Sequence, residues 1–229
     1  MTGRVRELND FMNDTDWSWL MEDALRAHLC RRCKRAYAHD MRNGLQGIQA
    51  GLDALTRAAR PNKPSAVPLE QLSQFVQQAI SNHERGLERV LESVAPEDLA
   101  PMQVKVRELL VDLVRFLSTD AARNRVRIKV DLGDDIIAQI APARLRLIFL
   151  GVLTHGIDAL ADGGEIAISA QAVDDDVQLE FVDSRAAADP DAFVVRAVAH
   201  VVAQASGHIE IEHVDARYRV RLRLPRHGN

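Results

Sequence analysis

Aromatic residues are scarce in this 229-residue chain, at 4%. A surface that stacks nucleic-acid bases interleaves aromatics with basic residues, and the run Arg31-Arg32-Cys33-Lys34-Arg35 contains none. The net charge of −4 gives no reason to expect a nucleic-acid or membrane partner. No apolar run reaches the roughly 20 residues that span a bilayer. Residues 1–16 are polar and mixed in charge, unlike a signal or transit peptide, so a cytoplasmic protein is expected. Cysteine is limited to Cys30 and Cys33. With His28 they could form half a metal site, but no second ligand pair follows and four ligands are the rule, so no metal is assigned.

Proline is missing from Trp17 to Arg60, and apolar residues recur there at helical spacing. Met41, Leu45, Ile48, Leu52 and Leu55 step by 4, 3, 4 and 3, a bundle seam, and Leu25, Leu29, Cys33 and Tyr37 extend it upstream. Three prolines between Arg60 and Pro68 end this helix. A second begins at Pro68 or Leu69 and runs to about Ala95, with Leu72, Val76, Ala79, His83, Leu87, Val90 and Val94 as its stripe. His83 is expected to be a packed core residue. Two helices so joined form an antiparallel hairpin. One hairpin covers only part of its apolar surface, so a homodimeric four-helix bundle is expected.

After Pro96-Glu97-Asp98 the pattern changes. Arg125–Asp131, Glu165–Ala170, Val177–Val182 and Tyr218–Leu224 alternate as strands, and helical stretches cover Val106–Asn124, Pro142–Ala161 and Asp191–Ala205. Pro142 suits a helix start and Gly163-Gly164 a helix end. The fold class is α+β, with helices on one face of a mixed sheet. The domains run 1–16 (N-terminal segment, helical turn or disordered at Arg4–Asp10), 17–95 (hairpin) and 101–229 (α/β domain).

The segment Ala38-His39-Asp40-Met41-Arg42-Asn43-Gly44-Leu45 concentrates chemistry on the first helix. The heptad register places Ala38 inward and His39 beside the seam, exposed. Arg35, Arg42 and Asn43 lie at i−4, i+3 and i+4, on the same patch. The two arginines disfavour a positive charge on the ring and stabilise incoming phosphoryl oxygens. Asn43 can hold such an oxygen or orient a water. Asp40, about 100° round the helix, can orient the ring or act as base after a rotamer adjustment. His39 is therefore a candidate phosphoacceptor.

These residues resemble the phosphoacceptor box of bacterial sensor histidine kinases, His-Asp/Glu-x-x-Asn-Pro-Leu, with Gly44 where proline is common. The resemblance implies that His39 carries the phosphoryl group and Asp40 assists transfer. Asn43 matches the position associated with dephosphorylating a response regulator. The second half resembles the histidine kinase ATP-binding domain, the Bergerat fold of gyrase and Hsp90-type ATPases. Arg144 to Leu160 overlies the N-box helix, and Gly207–Ile211 with Tyr218–Pro225 the closing strands.

The N-box asparagines, however, fall at Gly151 and His155. The Asp-x-Gly-x-Gly box reads Asp183-Ser184-Arg185-Ala186-Ala187, and the phosphate-loop Gly-x-Gly falls within Ala192-Phe193-Val194-Val195. Those glycines let backbone approach the nucleotide. Imidazole is a poor ligand for Mg²⁺. The expectation is a homodimeric histidine phosphotransferase of a phosphorelay, without autokinase activity or bound cofactor, exchanging phosphate with response-regulator receiver domains that supply the Mg²⁺. Alternatives are a pseudokinase that dephosphorylates or sequesters a regulator, and a noncanonical histidine kinase. Gln46, Gln49 and Asp53 would lie in a receiver contact.

Overall fold

Forty-one residues without proline give α1 (Ser18–Ala58), about 60 Å long at 1.5 Å per residue. The computed structural model describes residues 6–7, 18–58, 67–94, 100–133, 135–160, 162–184, 192–215 and 217–227. The helix α2 (Leu69–Val94) starts where the Pro68 carbonyl accepts a bond from Leu72 N at 3.2 Å. Glu70 in its first turn complements the positive helix end, and Arg57 the negative end of α1. Contacts divide the chain into two compact units, and one division falls inside α1. Residues up to Arg31 group with those after Ala95, and Arg32–Ala95 form the other unit.

In the hairpin unit the helices run antiparallel along a seam of glycines. A Cβ on Gly44 would lie 2.6 Å from His83 Nδ1, one on Gly47 3.3 Å from Ala79 Cβ, and one on Gly51 would strike Val76. The register is antiparallel, since each step forward on α1 is matched by a step back on α2. His83 is packed, as expected, and fills the space above Gly44. This seam is rotated from the expected one. Ala38, assigned inward, is exposed, as are Leu45 (56%) and Leu52 (51%), seven residues apart, whereas Ala36 is buried. The cause is steric: glycine backbone admits closer approach than leucine, so α2 settles on the glycine side.

The other unit is built from β1 (Arg6–Glu7), β2 (Met102–Lys105), α3 (Val106–Arg123), β3 (Val126–Asp131), β4 (Ile137–Ile140), α4 (Pro142–Ala159), β5 (Gly164–Val173), β6 (Asp176–Asp183), α5 (Phe193–Gln204), β7 (His208–Val214) and β8 (Arg217–Pro225). Six strands form one sheet in the order β1-β7-β8-β6-β5-β3, and β2 pairs with β4 separately. Only β3 and β5 are parallel. Alternation sends Val177, Leu179 and Phe181 of β6 and Val220, Leu222 and Leu224 of β8 into the core, where Phe149 of α4 meets Phe181 at 5.9 Å. The opposite face carries charge: Arg221 donates to Glu210 at 2.9 Å and to Glu180 at 3.3 Å. Burial works against its charge, yet Glu210, Glu212 and Glu180 outweigh it and hold its pKa above the ordinary arginine value.

Gly163, at φ 99°, ends the α4 connection as its sequence suggested. Arg6–Glu7 differ from expectation. Neither helical nor disordered, they pair with Ile211 and Glu210 and cover the β7 edge. The rest of 1–16 lies outside the described residues. The short pair β2 and β4 also adds to the strands that alternation marks.

The first turns of α1 belong to this unit through a buried ion cluster. Glu22 Oε1 accepts from Arg26 Nη2 at 2.9 Å, and Glu22 Oε2 lies 3.4 Å from Arg144 Nε at the start of α4. No helix among the described residues is long and apolar enough to cross a membrane.

Candidate active site

His39 sits on an exposed face of the unbroken helix α1, so backbone geometry fixes its neighbours at one-turn spacing. The Asn43 amide reaches back one turn: its Nδ2 lies 3.1 Å from His39 Nδ1 and 3.3 Å from Nε2. An amide N–H donates only to a ring nitrogen that carries a lone pair. Arg42 is exposed three residues on and makes no ion pair among the described residues. The geometry thus joins His39 to Asn43 and leaves Arg42 accessible to an anion arriving on the same helix. The side chains of Asp40 and Arg35 lie outside the described residues, so their roles stay as the sequence suggested.

Of the two cysteines, Cys30 is half-buried and Cys33 buried, and no group of three metal-ligating side chains occurs among the described residues.

The cleft of the α/β unit lies between α4, α5 and the sheet. Asp183 is buried at the end of β6, with Gly151, His155, Val194, Val198 and Tyr218 around it. The remaining cavity is about 20 Å³, room for one or two waters. Val198 is the reason. A Cβ on Gly151 would collide with Val198 Cγ2, so the helices α4 and α5 close directly over the place where the resemblance puts an N-box asparagine. His155, at the other N-box position, packs its ring 6.3 Å from Tyr218 at 62°. Leu25 of α1 is fully buried within 3.9 Å of that Gly151 Cβ position, and His28 lies 5.8 Å from the Phe193 ring.

Sequence reasoning named His39, Asn43 and the packed His83, and missed Val198. Val198 carries no chemical signature, although a glycine inside a strongly helical segment (Gly44, Gly47, Gly51, Gly151) is a signal of close approach.

No protein-family model matches the chain. The sensor histidine kinase ZraS of Escherichia coli (strain K12) is 25% identical over 148 residues, 64% of this chain and 31% of that protein. Sporulation kinase E of Bacillus subtilis (strain 168) is 28% identical over 82 residues, 35% of this chain and 11% of that protein. The chain therefore spans less than a third of the length of these curated relatives. Among solved structures, the catalytic domain of histidine kinase ThkA superposes with a TM-score of 0.53 at 11% identity, covering 57% of this chain and 100% of that one. Acinetobacter baumannii histidine kinase AdeS gives 0.51 at 14% identity, covering 83% and 98%. Histidine kinase ThkA in complex with response regulator protein TrrA gives 0.50 at 12%, covering 94% and 68%. The fold is that of these proteins: a helical hairpin and a histidine kinase-type ATPase domain.

Proposed function

We propose that this histidine kinase-like chain is a histidine phosphotransferase of a two-component phosphorelay, cycling a phosphoryl group between receiver-domain aspartates through His39 without an ATP-dependent autokinase step. The observation that carries the reading is an accessible His39–Asn43 pair in a chain whose ATPase-type cleft retains only about 20 Å³. In the forward step a ring nitrogen of His39 attacks the phosphorus of an aspartyl phosphate. The N–P bond forms, the P–O bond to the aspartate breaks, and the carboxylate leaves. The proton on the other ring nitrogen then passes to a base, a role that falls to Asp40. Arg42 neutralises the phosphoryl oxygens, and Asn43 holds one of them or the ring. The Mg²⁺ this chemistry requires belongs to the receiver, so the chain itself needs no cofactor.

Assembly as a homodimer fits the same reading. Leu45, Leu52 and Phe75 (52%) are exposed on the hairpin, and a second hairpin packed there would bury them. Similarity to a sensor histidine kinase across 148 residues favours a second reading, a noncanonical kinase that labels His39 from Mg²⁺-ATP.

One experiment separates the readings: purified chain is mixed with a panel of phosphorylated receiver domains, and in parallel with Mg²⁺-ATP. Label arriving from a receiver on the native chain and not on His39→Ala supports the phosphotransferase. Label arriving from ATP supports the kinase. If receivers lose phosphate without labelling the chain, and Asn43→Ala stops the loss while His39→Ala does not, the chain is a phosphatase and the phosphotransferase reading fails.

A further inference from the structure

We propose that the α/β unit carries a second binding site, for a phosphate-sized tetrahedral oxyanion: the free ion or the phosphoryl group of a small metabolite. The site is a cavity of about 140 Å³ between the end of β4, the first turn of α4, the turn after α5 and the chain beyond β8. It shares no lining residue with the cleft beside Asp183. A cavity of about 150 Å³ holds a benzene molecule, so a tetrahedral ion fits here and a whole nucleotide does not.

Four side chains able to donate hydrogen bonds line this cavity, Gln139, Arg144, Ser206 and His227, and no aspartate or glutamate does. Arg144 carries the charge. Its Nε lies 3.4 Å from Glu22 Oε2 without a hydrogen bond between them, and Arg26 makes the hydrogen bond that Glu22 Oε1 accepts. Only the Nε of Arg144 is shut off from water; its Nη groups reach solvent and hydrogen-bond no described residue. Gln139 is half-buried, Ser206 and His227 are exposed, and their side chains likewise hydrogen-bond no described residue. A guanidinium with its Nη edge unspent takes two oxygens of a phosphoryl group, and the amide, hydroxyl and imidazole can donate to the others. A planar carboxylate has only two oxygens and would leave part of this donor set idle. A cation would meet Arg144 and no carboxylate, which excludes that class. Gln204 also lines the cavity, but its Oε1 is buried away from it and brings no acceptor to repel an anion. The N-cap of α4, Ala141, belongs to the same lining and makes no side-chain hydrogen bond, so the positive end of the helix is not spent on a cap.

The test uses the full chain and phosphorus NMR, in which a bound phosphate broadens its line. Inorganic phosphate and glycerol phosphate are the probes, with acetate and chloride as competitors. At least one probe is expected to bind the native chain, and neither competitor to displace it at equal concentration. Tighter binding of the ester assigns the site to a phosphorylated metabolite; otherwise the ligand is the free ion. Arg144→Gln is expected to weaken binding by about tenfold or more. The double variant Ser206→Ala, His227→Ala changes exposed side chains only and is expected to weaken it about fivefold. That variant decides the matter if Arg144→Gln loses its native circular dichroism. Arg42→Gln, beside His39 on α1, is expected to leave this binding unchanged. The proposal is overturned if neither probe binds at about 10 mM, or if acetate or chloride competes equally. It is also overturned if a folded Arg144→Gln or the double variant binds undiminished, or if Arg42→Gln abolishes the signal, which would place the phosphate beside His39.

Discussion

Gly151→Ala asks whether packing is what closes the cleft. The substitution gains roughly 1 kcal/mol of helix propensity. Against that, the new methyl occupies the position of Val198 Cγ2, and overpacking of this kind costs about 1–3 kcal/mol. The expected net is a loss of about 1 kcal/mol. Val198→Ala alone removes two methyl groups, roughly 1.6 kcal/mol of transfer energy, and a cavity term brings its cost to about 2–3 kcal/mol. In the double variant the methyl added at position 151 enters space that the Val198 side chain has left. The overpacking disappears and the propensity gain remains, so the pair is expected to cost about 1–2 kcal/mol, some 2 kcal/mol less than the sum. Native-state hydrogen exchange of the α4 and α5 amides measures the stability of this unit by itself. Additivity within about 0.5 kcal/mol would refute the argument, because residues that do not share space do not couple.

The hairpin seam makes a comparable prediction between two of its own positions. Gly47→Ala meets only Ala79 Cβ at 3.3 Å and should be neutral or stabilising by up to about 1 kcal/mol, while Gly51→Ala strikes Val76 and should destabilise by about 1–2 kcal/mol; urea melts followed at 222 nm rank them, and the reverse order sinks the register described above. Glu22→Gln leaves the guanidiniums of Arg26 and Arg144 without their shared carboxylate in a buried place, an expected loss of about 3 kcal/mol. A loss below about 1 kcal/mol in the same exchange experiment would mean that α1 is held by Leu25 and Leu29 alone.

Much of this was legible in the sequence because periodicity and punctuation are local. The absence of proline gave the long helix, Gly163 its helix stop further on, and alternation gave β3, β5, β6 and β8 within a few residues. Short strands such as Met102–Lys105 leave too few residues for a period to register, and β4 reads as Ile-Ala-Gln-Ile, which alternation and helical spacing fit equally. Arg6–Glu7 are a strand only because β7 offers an edge, a fact about residues roughly 200 positions away. The rotation of the hairpin seam is the most instructive difference. Counting hydrophobic residues favours leucine positions as contacts, but two helices meet where their backbones can come closest, and here the glycines decide.

That rotation and the closed cleft share a logic. The box that Gly44 resembles usually has proline there, and the resembled N-box has asparagine where this chain has Gly151. In each case the departure is to glycine, and in each case a side chain of the facing helix, His83 or Val198, occupies the space that a larger residue would need. Proline or asparagine placed at one position therefore meets a steric obstacle that only a second change removes. A unit closed by its own core residues is also a stable surface against which the first turns of α1 are anchored through Glu22. The same rotation turns Leu45 and Leu52 outward on the helix that carries His39, the stripe that the proposed second hairpin would cover.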